Sequence, residues 1–192
     1  MKKAEGILKN VSIFDKNTLL KNPNKFWKDV KAVGEKAFSW LKIETLIIPN
    51  DIKLCIGAFK DNKSIKNIVL PNSLEAIPAE SFSESSIANV NIPQNVTGIG
   101  SYAFAGCKNL KHINLPNGIK TIYAGAFLRS GLKEITIPIS VQTIQDTAFM
   151  LNESLEHITI ENNKTDIDWS SFQNCSNIKT ITISENKFTI PN

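Results

Sequence analysis

The chain has 192 residues, a formal net charge of +4, and 42% apolar against 21% charged residues. This balance excludes a disordered or membrane-spanning chain, and the charge is too small to indicate a polyanionic partner by itself. With 27 Ile and 21 Asn but one Arg and two His, the chain lacks most of the side chains that acid–base and phosphate chemistry use. We therefore do not expect an enzyme.

Residues 1–32 are predicted to form an N-terminal cap. The spacing of Leu8, Val11 and Ile13 indicates a degenerate first strand. The dipeptide Asn22-Pro23 is typical of a helix start, and the short helix that it predicts carries the apolar side chains of Phe26, Trp27 and Val30. We expect these side chains to seal the end of the core rather than to bind a ligand, because stacked repeats need a cap.

The first residues include no uninterrupted apolar run of the kind that a signal peptide requires, and no window reaches the length of a membrane-spanning helix. The sequence as written therefore predicts a cytoplasmic protein, or a cell-surface or secreted one if it is a domain of a longer chain. Three cysteines cannot all pair with one another, and the spacing of Cys107 and Cys175 predicts buried structural thiols.

Between residues 33 and 186 the chain consists of seven repeats. Phenylalanine recurs every 21–23 residues, at positions 38, 59, 82, 104, 127, 149 and 172. An alternating apolar pair such as Ile113-Asn114-Leu115 follows each one, which predicts a short strand with one buried face. A proline then ends the strand in five repeats. Because a 22-residue unit cannot bury its apolar face alone, the copies must stack into a solenoid with parallel strands.

The repeat resembles the BspA-type leucine-rich repeat. The segment Leu110-x-x-Ile113-x-Leu115-Pro116 carries the likeness, together with the preceding Ala103-Phe104 and Cys107. The resemblance implies a mainly β solenoid, α/β by class, with parallel strands on the concave face and short strands or irregular and 3-10 segments on the convex side. Members of this family are mostly bacterial and protist surface proteins, often implicated in adhesion to host or matrix proteins.

Residues 187–192 look like a short piece of one more strand. Such an end leaves an exposed strand edge, so we expect either a monomer or a weak dimer formed through this C-terminal edge.

The outward side chains of the predicted strands form the candidate partner-binding surface. One row consists of polar residues, namely Asn91, Asn114, Thr136 and Thr159. The neighbouring row contains both histidines of the chain, His112 and His157, on either side of Glu134. Three ligands from adjacent parallel strands make a poor metal site, so we expect neither a metal nor another cofactor. The row is better suited to hydrogen-bonding a protein partner.

Two positions of the same surface are apolar, Ile47 and Val69. Two explanations are open: the N-terminal segment folds over these side chains, or they form an exposed apolar anchor for a partner.

Charge is unevenly distributed along the chain, with +7 over residues 1–66 and −3 over residues 67–192. The basic third consists of lysines without arginine, so direct nucleic-acid binding is not expected.

Our first hypothesis is a non-catalytic module that binds another protein through its concave strand face, such as a surface adhesin fragment. The alternative is an intracellular inhibitor or immunity-type protein, for example one encoded by a mobile element. Such a protein would use its basic third to block an enzyme or a ribonucleoprotein.

Overall fold

The computed structural model describes residues 7–8, 26–39, 42–184 and 186–189. The fold is a parallel β-solenoid of about seven turns with almost no helix, which confirms the predicted class. Its strands in chain order are β1 (Ile7–Leu8), β2 (Ala32–Val33), β3 (Thr45–Ile47), β4 (Lys53–Leu54), β5 (Asn67–Val69), β6 (Asn89–Asn91), β7 (Gly98–Ile99), β8 (Thr121–Ile122), β9 (Glu134–Ile137), β10 (Thr143–Ile144), β11 (His157–Ile160), β12 (Asp166–Ile167), β13 (Thr180–Ile183) and β14 (Asn186–Thr189). A 3-10 helix spans Trp169–Phe172.

The strands form two columns along the solenoid. The first column contains the sheets β3-β5-β6 and β9-β11-β13-β14, and the second contains β1-β2-β4 and β7-β8-β10-β12. Within each sheet the parallel pairs keep equivalent residues of successive repeats opposite one another, as in the pairing of Thr136 with Thr159. Each repeat residue therefore belongs to a column that runs along the solenoid axis.

The core is a continuous stack of the repeat phenylalanines. Their rings lie nearly parallel, and the centroids of successive rings are between 5.1 and 5.8 Å apart from Phe38 to Phe172. The six rings from Phe38 to Phe149 are fully buried. Isoleucine and leucine columns enclose this stack, and Val96 and Ile99 belong to the same buried core. Each repeat thus buries its apolar face against its two neighbours.

Left-handed turn residues lie two positions before and two positions after each phenylalanine from Phe59 to Phe149. Around Phe149, for example, the φ angles of Thr147 and Leu151 are 56° and 61°. Glycine occupies equivalent positions at Gly57 and Gly125, where this conformation has no steric cost. The same turn therefore recurs in successive repeats, whether the sequence places a glycine there or not.

At the N-terminus, residues 26 and 27 are helical and residues 28–29 form a turn. Phe26, Trp27 and Val30 are buried, and the Trp27 ring lies 6.1 Å from that of Phe38. Their role in sealing the end of the core stays a prediction. The rest of the proposed cap, including the Val11–Ile13 segment and Asn22-Pro23, lies outside the described residues.

The structure corrects the expectation of seven equivalent strands. In the part of the chain that the structure describes, residues 112–115 form no strand and make no backbone hydrogen bond to β6 or β9. Ile113 is nevertheless buried, as the alternating pattern requires. The pattern predicts which side chains are buried, but it does not determine whether neighbouring backbones approach within hydrogen-bond distance. The first column is consequently divided into two sheets at this repeat.

The C-terminal strand differs from a simple continuation of the solenoid. β14 pairs with β13 in the antiparallel direction, with Ile183 opposite Asn186. Ser184, in the left-handed conformation with φ of 54°, lies in the turn between them. The chain therefore reverses here and ends in a β-hairpin instead of starting another parallel coil.

Candidate protein-binding surface

We call the outward side of β3, β5, β6, β9, β11, β13 and the intervening residues 112–115 the strand face. It presents two rows of side chains because alternate residues of a strand point to the same side. The first row is Ile47, Val69, Asn91, Asn114, Thr136, Thr159 and Thr182, and the second row is Thr45, Asn67, Asn89, His112, Glu134, His157 and Thr180. Strand pairing places Ile47, Val69 and Asn91 side by side. In the other sheet it places Thr136 beside Thr159 and Glu134 beside His157.

The apolar pair on the strand face is exposed. Ile47 is 63% exposed and Val69 is 50% exposed, although both residues lie in paired strands of one sheet. Leu46 and Ile68, which point to the opposite side of the same strands, are buried. Residues 9–25, the N-terminal segment of the covering explanation, lie outside the described residues, so both explanations from the sequence stay open.

Side-chain amides form a short ladder beside this pair. Asn67 donates from Nδ2 to the hydroxyl oxygen of Thr45 at 3.4 Å, and Asn89 donates from Nδ2 to Oδ1 of Asn67 at 2.8 Å. The bonds run in one direction along the solenoid. They fix the orientation of exposed amides that would otherwise rotate freely, so the ladder presents donors and acceptors at defined positions.

The row of two histidines and one glutamate is only partly assembled. His112 Nδ1 lies 3.2 Å from Oε1 of Glu134. His157 instead places Nδ1 2.8 Å from the hydroxyl oxygen of Thr180, and its Nε2 lies 3.9 Å from Glu156. No group of three metal-ligating side chains occurs among the described residues. The structure thus pairs His112 with Glu134 but does not bring the three side chains to one centre.

The break at residues 112–115 opens a groove along the strand face. One part, of about 440 Å³, is lined by Val69, Asn91 and Asn114 among others. A second part, of about 230 Å³, is lined by residues that include Asn114, Glu134 and Glu161. Both parts share His112, Ile113 and Asn114, so they form one continuous depression across the middle of the face.

A second polar column, inside the solenoid, escaped the sequence analysis apart from its cysteines. It lies three residues after the repeat phenylalanines from Phe59 to Phe172 and consists of Asn62, Ser85, Cys107, Ser130, Asn152 and Cys175. Four of these side chains donate to the backbone carbonyl of a phenylalanine in an earlier repeat: Asn62 to Phe38, Cys107 to Phe82, Asn152 to Phe127 and Cys175 to Phe149. The recurrence of Asn, Ser and Cys at one position was the available signal, because each can donate one hydrogen bond inward.

The buried thiols belong to this structural column. Burial raises the pKa of the Cys107 thiol to about 12, and burial also raises the pKa of Cys175. A thiol that stays protonated is a poor nucleophile and a poor metal ligand. All three cysteines of the chain are free, and the two buried ones act as hydrogen-bond donors.

Lysines of the basic third are engaged in ion pairs between repeats. Lys36 pairs with Asp61 at 2.7 Å, and hydrogen bonding to this lysine lowers the pKa of the aspartate. Lys66 pairs with Glu44 at 2.8 Å and lowers its pKa in the same way. Lys60 also pairs with a carboxylate, that of Glu80. The net charge of +7 already counts Glu44 and Asp61, so only the pair with Glu80 brings a carboxylate from outside residues 1–66.

Stacked repeats of 21–23 residues, a phenylalanine core and an inner column of carbonyl-binding side chains define a leucine-rich-repeat solenoid. The chain belongs to the BspA-type leucine-rich repeat family, whose profile matches residues 10–104 and 75–192 in six copies. This confirms the resemblance identified from the repeat. No curated protein sequence matches the chain.

Several solved structures share the fold. The pneumococcal vaccine antigen PcpA is 23% identical with a TM-score of 0.64, over 84% of this chain and 40% of that one. A leucine-rich repeat protein from Eubacterium ventriosum is 19% identical with a TM-score of 0.54, over 82% and 47% of the two chains. The T. pallidum leucine-rich repeat protein TpLRR is 21% identical with a TM-score of 0.51, over 78% and 62%. The chain therefore spans less than two thirds of the length of each, and the likeness concerns the fold alone.

Among the residues that the structure describes, no helix has the length and apolar character needed to cross a bilayer.

Proposed function

We propose that this chain is a non-catalytic protein-binding module that recognises another protein through the strand face. The observation that carries the proposal is the exposed apolar pair Ile47 and Val69, continuous with a groove lined by polar side chains that include Asn91, Asn114 and Glu134. Core phenylalanines and interior hydrogen bonds hold the strands on which these side chains stand. Because such a surface is already ordered, binding does not incur the entropy cost of ordering loops.

The remaining candidate contacts continue the surface toward the C-terminus. Thr136 and Thr159 stand side by side in the first row, and His157 is held by Thr180 in the second. Hydroxyl, imidazole and amide groups at fixed spacing provide the directional contacts that make a protein interface specific. We assign the apolar pair to affinity and these polar residues to selectivity.

We further propose that the partner is a host or matrix protein and that the chain is part of a surface adhesin. Family membership supports this reading, and the similar fold of a pneumococcal vaccine antigen is consistent with it. The inhibitor alternative rested on the basic N-terminal third, and neither the family nor the similar structures support it.

The test is a binding assay with matched triple variants. One variant combines His112→Ala, Glu134→Ala and His157→Ala on the strand face. The control combines Lys120→Ala, Gln142→Ala and Asp166→Ala, which are exposed residues at or next to second-column strands. The immobilised proteins are exposed in parallel to purified extracellular-matrix proteins and to lysate of the source cell.

We expect a matrix protein to bind the wild type and the control variant, and to bind the strand-face variant at least about fivefold more weakly. Equal binding by the two variants would show that the strand face is not the recognition surface. Retention of a partner from the source-cell lysate alone, with the matrix proteins unbound, would instead reject the adhesin reading.

A further inference from the structure

Resting on the proposed function, we propose that the strand face binds an extended polypeptide segment that crosses the strands along the solenoid axis. An apolar side chain of this segment contacts Ile47 and Val69, and a basic side chain contacts Glu134. About four to six residues separate these two side chains. The proposal thus names the chemistry of the partner that the groove selects.

The apolar end of the segment is assigned from exposure. Ile47 and Val69 pair directly in β3 and β5, so their side chains form one contiguous patch on an otherwise polar face. When an apolar side chain covers this patch, the apolar surfaces of the patch and of that side chain are both removed from water, which favours binding. A polar side chain in its place would lose its hydrogen bonds to water without gaining others. The next residues of the same row, Asn91 and Asn114, are polar, so the apolar contact is confined to this end.

The basic end is assigned from charge complementarity. Glu134 and Glu161 line the same part of the groove, and no lysine within the described ranges pairs with either carboxylate. Oε1 of Glu134 lies 3.2 Å from Nδ1 of His112. Glu44 and Glu156, by contrast, each pair with a lysine, at 2.8 and 2.6 Å. Glu161 also accepts a hydrogen bond from the backbone N–H of Ile139 at 3.0 Å, which fixes the position of its carboxylate. Glu134 is the carboxylate that the basic side chain contacts, because Glu161 lies opposite residue 138, four residues further along the strands.

The middle of the groove suits a backbone rather than particular side chains. Asn89, Asn91 and Asn114 are amides that can both donate and accept, and the ladder bond from Asn89 to Asn67 leaves Oδ1 of Asn89 available as an acceptor. Residues 112–114, whose backbone makes no bond to the neighbouring strands in the described chain, line both parts of the groove. Peptide N–H and C=O groups of an extended segment match such a surface without a sequence requirement.

The spacing follows from strand geometry. Glu134 lies three repeats after Val69 and four after Ile47, and hydrogen-bonded strands are about 4.8 Å apart. Across the unpaired residues 112–115, the phenylalanine rings of successive repeats keep a similar spacing of 5.1 and 5.4 Å. The two ends of the groove are therefore separated by about 14–19 Å. An extended chain covers about 3.3 Å per residue, so the separation corresponds to about four to six residues.

The experiment measures binding of fluorescein-labelled peptides by fluorescence anisotropy. Each peptide carries one Leu and one Arg, separated by two, four, six or ten residues of alternating Gly and Ser, and both orders of Leu and Arg are made. Control peptides replace Leu by Ser or Arg by Gln. The protein is used as the full chain, with variants Val69→Ser and Glu134→Gln, and with Ile56→Ser and Glu153→Gln as exposed control substitutions away from the groove.

In at least one order, we expect the peptides with four or six intervening residues to bind about tenfold more tightly than those with two or ten. Val69→Ser should weaken binding of the best peptide about fivefold and should not change binding of the peptide that lacks Leu. Likewise, Glu134→Gln should weaken binding of the best peptide about fivefold and should not change binding of the peptide that lacks Arg. The control variants should bind as the wild type does.

The proposal would be overturned if affinity did not depend on the spacing of Leu and Arg in the peptide. It would also be overturned if Val69→Ser weakened the peptide without Leu, or Glu134→Gln the peptide without Arg, as much as the best peptide. The absence of any binding to the peptides by a wild-type protein that binds a matrix protein through the strand face would overturn it as well. That last result would leave the proposed function standing, because the triple variants test the face and not the chemistry of the segment.

Discussion

The side-chain amide of Asn152 donates a hydrogen bond to the carbonyl oxygen of Phe127, 2.7 Å away and one repeat earlier in the solenoid. The same amide bonds the carbonyl of Phe149 at 2.6 Å, and its oxygen accepts from the hydroxyl of Ser130. A fully buried asparagine thereby joins two repeats through their interior. Comparable bonds from Asn62, Cys107 and Cys175 make this a repeated feature of the solenoid.

Replacing Asn152 by alanine should lower the free energy of unfolding by about 3 kcal/mol, because two buried carbonyls and one hydroxyl lose their partner. Urea denaturation followed by circular dichroism measures the change. The control is Asn163→Ala at an exposed position, for which a change within about 0.5 kcal/mol is expected. Equal effects of the two substitutions would contradict an interior bonding role.

The phenylalanine stack should contribute most at its centre. Phe104 is fully buried between Phe82 and Phe127, whereas Phe172 is only partly buried at the end of the stack. We expect Phe104→Ala to cost about 4 kcal/mol through lost burial and a residual cavity, and Phe172→Ala clearly less. Denaturation monitored along the chain by hydrogen exchange distinguishes the two, since the first should increase exchange in repeats on both sides. A larger loss for Phe172→Ala would be inconsistent with this packing.

Thr147 occupies a left-handed position that Gly57 and Gly125 fill in other repeats. Thr147→Gly should raise the free energy of unfolding by about 0.5 kcal/mol. Left-handed backbone costs a non-glycine residue about 1–2 kcal/mol, and the greater chain entropy of glycine offsets about half of the gain. Thr143→Gly, in strand β10, is the matched control and should lower it by about 1 kcal/mol. Thermal melts should therefore show a higher melting temperature for Thr147→Gly and a lower one for Thr143→Gly. Destabilisation by both substitutions would refute the left-handed conformation of Thr147.

Thiol reactivity should follow burial. At pH 8, iodoacetamide should alkylate Cys55, which is half-buried, well before Cys107, and mass spectrometry after timed quenching reports the order. Early alkylation of Cys107 in the folded protein would argue against a sealed interior.

The raised pKa of Cys107 also predicts a loss of stability at alkaline pH. Because the folded-state pKa of about 12 lies above the ordinary value of 9.0, the unfolded chain loses this proton first. The stabilising contribution is therefore complete below about pH 9 and declines as the pH rises toward 12. Cys107→Ser, which places in this column the residue type found at Ser85 and Ser130, should show a smaller alkaline decline in denaturation experiments. An identical pH profile for the two proteins would contradict the assignment.

Much of the fold could be predicted from the sequence because every repeat has the same pattern of apolar residues that must be buried. Phenylalanines spaced by 21–23 residues and alternating pairs such as Ile158-Thr159-Ile160 determine which side chains are buried, and stacking is the arrangement that buries them all. The rows of the strand face follow directly, so the positions of Asn91 and Thr136 were available without coordinates. Their role in binding remains a prediction.

Other features depended on distances that no pattern contains. The sequence put His112, Glu134 and His157 in one row, but side-chain torsions decided that His112 contacts Glu134 while His157 contacts Thr180. It predicted a strand at residues 113–115, yet the separation of neighbouring backbones left that segment unpaired and opened the groove. It also indicated a further strand at the C-terminus, whose direction was set by the turn at Ser184.

The sequence by itself determined the repeat, the core columns and the family, because hydrophobic burial depends on the order of residues along the chain. Only the tertiary structure decided where the strand ladder breaks, which carboxylates are paired with lysines and which apolar side chains stay exposed. These properties depend on distances of a few ångströms between residues of different repeats, and those distances differ from one repeat to the next.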